Sequence, residues 1–122
     1  MPTQITHSQL KIYRATARKR NAELHIQLEV RRQRAWIIAR QAAVILKERF
    51  GASRVVVFGS LLHPERYHLG SDIDLAVWEV QDYFRAVSSL MDIDPDFEFD
   101  LVPFEDARPG IMDAIRKEGM DL

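Results

Sequence analysis

The first part of the chain has apolar residues at the three- to four-residue spacing that is typical of a helix. Neither Pro nor Gly occurs between Gln9 and Phe50, so nothing in this stretch interrupts helical hydrogen bonding. The apolar residues with helical spacing in its second half are Ala35, Ile38, Ala42, Ile45 and Leu46. The pattern predicts one long helix, or two helices with a bend near Asn21, and the second half is expected to pack on a sheet.

The apolar stripe is weaker in the first half of this stretch. We therefore expect residues before about Val30 to protrude or to dock on another chain, and the alternative is a helix that folds back on the domain.

Three later segments have the composition of strands. Arg54–Phe58 is a β-branched run between Gly51 and Gly59 and predicts a buried strand. Residues 71–78 predict a second strand, and residues 97–102 predict a third.

Two short helices are predicted around the third strand. Residues 81–91 predict one helix, and the other begins at Pro109 or Gly110 and ends at Gly119. The apolar residues expected on the packed side of the first are Tyr83, Phe84, Val87, Leu90 and Met91. The order of elements predicts an α/β fold, with a small mixed β-sheet flanked by helices and a long N-terminal helical arm.

Carboxylates recur on one face of the second and third predicted strands. Asp72 and Asp74 share a face because strand side chains alternate, and Asp100 joins them if the third strand pairs beside the second. Three carboxylates on one face repel each other, and Mg²⁺ prefers oxygen ligands of this kind. The pattern predicts a site for one or two Mg²⁺ ions at Asp72, Asp74 and Asp100.

A Gly-Ser pair follows the first predicted strand. Gly59 permits a sharp turn, and Ser60 adds a hydroxyl to the free backbone N–H groups that suit phosphate oxygens. Such a pair is usually only a turn. Followed by three carboxylates, it predicts a site that moves a nucleotidyl group from an NTP to an acceptor.

Composition is consistent with a small soluble domain. The chain has 122 residues and no cysteine, so we expect one compact core and no disulfides. No apolar run approaches the roughly 20 residues of a membrane span, and the N-terminus lacks a secretory pattern. We therefore expect a cytoplasmic protein without membrane contact.

Charge is unevenly distributed along the chain. Residues 1–50 contain eleven Lys or Arg and three Glu, whereas residues 51–122 contain six basic and fifteen acidic residues. The basic half is either a solvated helix or a surface for RNA, for NTP or for the acidic face of a partner. Its aromatic residues are few, so binding of single-stranded nucleic acid is not favoured.

The candidate site resembles a known signature. The Gly59-Ser60 turn, the Asp72-Ile73-Asp74 segment and Asp100 are similar to the motif of the polymerase-β nucleotidyltransferase superfamily. The chain's brevity and the segments 70–77 and 115–119 are most similar to the minimal nucleotidyltransferases, the MNT group.

The resemblance covers about residues 35–122 and implies two parts. These are a basic N-terminal helical extension, residues 1–34, and a minimal nucleotidyltransferase domain, residues 35–122.

The resemblance also implies a role for each site residue. Gly59 and Ser60 would hold the triphosphate of ATP, the implied substrate. Asp72 and Asp74 would bind the nucleotide through Mg²⁺. Asp100 would complete the metal site and act as general base toward the acceptor hydroxyl.

The sequence departs from the family pattern after Ser60. Family members often have a small residue, an Arg and a Gly there, whereas this chain has Leu61, Leu62, His63 and Pro64. Arg66 is the candidate replacement for the missing positive charge.

Many members of the MNT group are antitoxins encoded beside a HEPN-type toxin, a helical ribonuclease. The resemblance therefore implies a hetero-oligomer with such a toxin and transfer of AMP to one of its hydroxyl groups, that of a tyrosine. Two alternatives stay open: a catalytically weak antitoxin that binds and occludes the toxin, and a small-molecule nucleotidyltransferase completed by dimerisation.

Overall fold

The computed structural model describes residues 4–122, which form three helices and a four-stranded mixed sheet. The helices are α1 His7–Phe50, α2 Tyr83–Met91 and α3 Pro109–Glu118. The strands are β1 Arg54–Phe58, β2 Ile73–Trp78, β3 Phe99–Pro103 and β4 Met120–Asp121. Two 3₁₀ turns, Gly59–Leu62 and Phe104–Asp106, follow β1 and β3. The predicted α/β fold with a small mixed sheet and a long N-terminal helix is confirmed.

Helix α1 is continuous over 44 residues, which corresponds to about 66 Å. Of the two predicted alternatives, the single helix is observed. A capping box at its start joins Thr6 and Gln9 through two reciprocal hydrogen bonds. The helix ends at Gly51, whose φ of 71° is left-handed and carries no steric cost for glycine. Among residues 4–122, no helix is both long enough and apolar enough to cross a membrane.

The two halves of α1 have different surroundings. The buried side chains all lie in its second half and are Ala35, Ile38, Ala39, Ala42, Ala43, Leu46 and Phe50. Every described residue before Leu28 is exposed. The prediction that the first half protrudes is therefore confirmed.

The sheet has the strand order β3-β2-β1-β4. Strand β1 is antiparallel to β2 and β4, whereas β2 and β3 are parallel. The end of β1 therefore lies beside the beginning of β2 and at the same end of the sheet as the beginning of β3. In this register Phe58 is opposite Asp74, and Asp74 is opposite Asp100.

The two faces of the sheet are covered unequally. Helices α1 and α2 pack on one face over the main apolar cluster, which includes Leu75 and Leu101. A smaller cluster beneath α3 covers the other face and includes Ala76 and Ile115. Because side chains alternate, Asp74 lies on the second face with Ala76, next to the end of the smaller cluster.

Some predicted boundaries and contacts differ from the structure. Strand β3 begins at Phe99 rather than at residue 97, because the N–H of Phe97 donates to the carbonyl of Asp94 in a turn. Phe84 and Met91 were expected on the packed side of α2, but they are 85% and 61% exposed. The buried positions of α2 are Ala86 and Leu90.

Candidate active site

The predicted phosphate turn directly follows β1. Gly59 has a φ of 79°, and Gly59–Leu62 forms the 3₁₀ turn. A Cβ atom at residue 59 would collide with the Asp74 carboxylate. Glycine is therefore required here both by the backbone conformation and by the close approach of the Asp74 carboxylate. The first N–H groups of such a turn precede its internal hydrogen bonds and are available to an anion.

The three aspartates lie at the same end of the sheet. Asp74 is half-buried within β2 and is the register neighbour of Asp100 in β3. Asp72 precedes β2 and is exposed, as is Asp100. The structure thus places the predicted carboxylates and the Gly59–Leu62 turn around one point, the junction of β1, β2 and β3.

The surroundings of Asp74 disfavour a negative charge. Burial, and after it the charges of Asp100 and Asp72, together raise the pKa of Asp74 from 3.8 to about 7. Within residues 4–122, no ion pair joins any of the three aspartates to a Lys, Arg or His. The donor set is therefore one that a cation would stabilise.

The aspartates do not by themselves form a ready three-ligand cage. Among the described residues, no group of three His, Cys, Asp or Glu side chains is arranged to hold a metal ion. Mg²⁺ commonly takes only one or two protein carboxylates and obtains its other ligands from water and substrate phosphates. The paired Asp74 and Asp100, with Asp72 beside them, fit that kind of binding.

The residues after Ser60 serve the fold. Leu61 is fully buried in the main core, and the ring of His63 contacts the Glu118 carboxylate at 2.9 Å. Arg66 is exposed. The family's Arg and Gly are thus replaced by Leu62, which packs against the main core, and by His63, which ties the turn to α3.

A positive group reaches the turn from α1 instead. The Nε of Arg32 donates to the Leu61 carbonyl at 3.0 Å, so its guanidinium lies against the turn. This contact joins residues 29 positions apart. Sequence analysis missed it because nothing local to Arg32 distinguishes it from the other arginines of the helix.

A concave region adjoins Asp72. It has a volume of about 270 Å³ and is lined by Arg31, Leu69, Gly70, Ser71, Asp72, Pro95, Asp96 and Glu98. Arg31 donates to the Asp96 carbonyl at 2.6 Å and lies 4.2 Å from the centre of the Phe97 ring. Its buried Nε has no hydrogen-bond partner among residues 4–122.

Tyr83 is a further neighbour of the site that the sequence did not indicate. Its hydroxyl donates to the Leu101 carbonyl at 2.6 Å. Burial raises the pKa of Tyr83, and the charge of Asp100 raises it further. Tyr83 therefore stays neutral and fixes the backbone of β3 next to Asp100.

The sequence comparisons agree with this geometry. Residues 40–122 match the family model described as "Polymerase beta, Nucleotidyltransferase". The match covers most of the chain, so the protein belongs to the polymerase-β nucleotidyltransferase family, and the predicted resemblance is confirmed. A search of curated proteins found no match.

Solved structures share the fold at low sequence identity. A mutant of the toxin-antitoxin MntA-HpeT aligns with a TM-score of 0.55 and 18% identity, over 68% of this chain and 70% of that chain. A toxin-antitoxin with AMP-PNP gives 0.52 and 20%, over 65% and 66%. The toxin-antitoxin MntA-HepT gives 0.52 and 17%, over 70% and 69%. The exposed first half of α1 lies outside the residues that the family model matches.

Proposed function

We propose that this protein is a Mg²⁺-dependent nucleotidyltransferase that moves AMP from ATP to a hydroxyl group of a partner toxin. The observation that carries the proposal is the meeting of Asp74, Asp100 and the Gly59–Leu62 turn at one end of the sheet. The likeness to toxin-antitoxin structures, one of them with AMP-PNP, supports the partner and the nucleotide.

The chain's own groups divide the reaction between them. The N–H groups and hydroxyl of Gly59 and Ser60 bind the triphosphate, and Arg32 adds a positive charge at the turn. Asp100 accepts the proton of the acceptor hydroxyl, whose oxygen attacks the α-phosphorus. A new P–O bond forms to the acceptor, the bond from the α-phosphorus to the bridging oxygen breaks, and pyrophosphate leaves with the electron pair.

Asp72, Asp74 and Asp100 are the residues that would hold Mg²⁺. When bound, the ion neutralises charge on the transferred phosphoryl group. Asp74 would bind it in the ionised state, so ion binding and ionisation of Asp74 would favour each other.

The position of Asp100 favours a large acceptor. Strand β3 is at the edge of the sheet, and Asp100 is exposed on it. A hydroxyl on the surface of another protein can therefore approach the base from the open side, without a dedicated acceptor domain in this chain. We propose that residues 35–122 form the nucleotidyltransferase domain, that residues 1–34 are an extension, and that the working assembly is a hetero-oligomer with a HEPN-type toxin.

One observation favours a second candidate function. Leu62 packs against the main core and His63 contacts Glu118, at the positions where the family often has Arg and Gly. A phosphate side weakened in this way would suit an antitoxin that blocks its toxin by binding, with little or no transfer.

Labelled ATP separates these functions. The chain is incubated with Mg²⁺, the protein encoded by the adjacent gene, and ATP labelled with ³²P at either the α or the γ position. We expect the partner to become labelled only from α-labelled ATP. Label from the γ position would indicate kinase chemistry and would contradict the proposal.

Absence of label, with a stable complex still formed, would favour occlusion without catalysis. A matched variant, Glu105→Gln with Asp106→Asn, removes two exposed acidic groups of the Phe104–Asp106 turn and should label the partner as well as the unchanged protein does.

A further inference from the structure

The first half of α1 exposes more apolar surface than a soluble helix needs. Ile12, Tyr13 and Ile26 are 66%, 64% and 65% exposed. We call residues 4–30 the arm and residues 31–122 the body. Every arm residue except Leu28 is exposed, and the hydrogen bonds that arm side chains make lie within the arm or reach forward along α1 from Glu29 to Gln33. The arm is thus ordered by its helical hydrogen bonds and caps rather than by packing.

The whole chain has an unusually large surface for its mass. Its accessible surface is 8523 Å², whereas a globular monomer of 14.2 kDa exposes about 6,800 Å² by the usual scaling. The excess is more than about 1,000 Å², and one side of a standard protein interface buries about 800 Å². The arm alone is therefore large enough to form a specific interface.

Helical spacing sorts the arm residues into four stripes. The first apolar stripe continues the buried face of α1 and contains Leu10, Tyr13, Ala17, Leu24 and Leu28. The second apolar stripe contains Ile12, Ala15, Ala22, Ile26 and Val30, and it is interrupted by Ser8 and Lys19. Between them lies a mainly basic stripe of His7, Lys11, Arg14, Arg18 and His25, with the acidic Glu29 at its C-terminal end. The remaining side is polar and contains Gln9, Thr16, Arg20, Glu23 and Gln27.

The arrangement of these stripes favours one kind of molecule over others as the binding partner of the arm. A nucleic acid would use the cations but not the two apolar stripes, whose exposed aliphatic side chains gain nothing from phosphates. A second copy of the arm would bring Lys11, Arg14 and Arg18 against like charges. A different protein, with acidic side chains between two apolar surfaces, matches all three stripes at once.

The arm also leaves the body near the candidate active site. Where it joins the body, Arg32 contacts the Leu61 carbonyl and Arg31 contacts the Asp96 carbonyl. Both contacts are at the end of the sheet that carries Asp72, Asp74 and Asp100, so the arm begins at that end of the sheet.

We propose that the arm is the docking element for the acceptor protein, and that this protein grips it with acidic side chains flanked by apolar surfaces. The identity of the partner rests on the proposed function, whereas the docking itself does not require transfer. A groove of about 460 Å³ at the start of the arm, lined by Gln4, Ile5, Gln9, Ile12 and Tyr13, offers a place for an apolar side chain of the partner.

The test measures binding of the full-length chain to the protein encoded by the adjacent gene, by calorimetry and without ATP or Mg²⁺. Ile12→Asp with Ile26→Asp should weaken binding about 100-fold, because both substitutions place charge in an apolar interface. Arg14→Glu with Arg18→Glu should weaken it about 10-fold and reduce its salt dependence.

The matched control adds the same charges to the polar side. Thr16→Asp with Gln27→Asp should change the affinity by less than about 3-fold. Circular dichroism checks that every variant keeps its helix, which exposed substitutions should leave intact. Equal affinities in all variants, or no complex with the unchanged protein, would overturn the proposal.

Two further outcomes would assign the arm elsewhere. Sedimentation of the chain alone should give a monomer, and a dimer that Ile12→Asp with Ile26→Asp dissociates would identify a second copy as the occupant. Displacement of the partner by a single-stranded RNA would identify nucleic acid.

The proposed reaction and the proposed docking can be refuted independently of each other. Arm-dependent binding without AMP transfer would refute the proposed function and leave the docking. Transfer with arm-independent binding would refute the docking and leave the reaction.

Discussion

The two halves of α1 have similar side chains but opposite surroundings. Ala42 and Leu46 in the second half are fully buried, whereas Ile12 and Ile26 in the first half are more than three-fifths exposed. The second half is stabilised by the sheet that it covers, and the first half extends the same helix past that sheet. Helical pattern therefore identifies the helix but not what covers it. The sheet covers the second half, and we propose that another protein covers the first.

The two halves should respond differently when an aliphatic side chain is shortened. Leu46→Ala should lower the free energy of unfolding by about 3 kcal/mol, because it leaves a cavity in the core. Ile26→Ala should change it by less than about 0.5 kcal/mol, since it removes exposed surface and alanine favours a helix. Urea denaturation of both variants measures the difference. A similar loss in both would mean that the arm packs on its own body in solution.

Within the body, the candidate active site should tolerate substitution less well than its surroundings do. Gly59→Ala forces a left-handed backbone on alanine and drives Cβ into the Asp74 carboxylate, so we expect a loss of about 2 kcal/mol in stability and about 100-fold in transfer. Gly110→Ala is the control, because a Cβ there meets no atom within 4 Å. Unfolding and single-turnover labelling provide the two readouts. Equal behaviour of the two variants would remove the close approach of Gly59 and Asp74 from the account.

Arg32 lies at the border of the two halves, and its removal should weaken the binding of ATP rather than the stability of the fold. Removing the guanidinium that lies against the Leu61 carbonyl should raise KM for ATP about 10-fold, the value of one charge-assisted contact. Arg40→Ala is the control, because Arg40 is exposed and lies over Trp36. Steady-state kinetics should show no change in that variant. An unchanged KM in Arg32→Ala would contradict a role for α1 in phosphate binding.

The smallest expected effect is the pH dependence of Asp74. Because its pKa rises from 3.8 to about 7 in the folded state, the folded state favours the protonated carboxyl. That contribution to stability is present below pH 3.8 and is lost as the pH rises through about 7.

Asp74→Asn cannot ionise, so without metal it should match the unchanged protein near pH 3.8. Above pH 7, the free energy of unfolding of Asp74→Asn should exceed that of the unchanged protein by about 1 kcal/mol, a figure that allows for solvent screening. Thermal unfolding across this range measures the difference, with the exposed Asp106→Asn as control. A constant difference at every pH would contradict the raised pKa.

Local patterns predicted the parts of this molecule that depend on short-range alternation. The uninterrupted stretch that forms α1 follows from the lack of Pro and Gly. The period of a strand predicted that Asp72 and Asp74 share a face, but β2 begins at Ile73, so Asp72 precedes the strand. Strand β4 was not predicted, because its two residues become a strand only by pairing with Val56 and Val57 of β1.

Local patterns also could not show which distant residues meet at the candidate active site. Asp100 was expected beside Asp74 only on condition that the strands pair, and the parallel register meets that condition. The contacts of Arg32 with Leu61 and of Tyr83 with Leu101 join distant parts of the chain. Each depends on how α1 and α2 pack on the sheet, which no local pattern records.

The most direct test of nucleotidyl transfer at the three aspartates is the intact mass of the adjacent-gene protein after incubation with ATP and Mg²⁺. The unchanged chain and the Glu105→Gln, Asp106→Asn control should each add one or more whole adenylate groups. Asp72→Asn with Asp74→Asn should add none, while still folding and still forming the complex. Adenylate addition by that double variant would contradict the assignment of the active site.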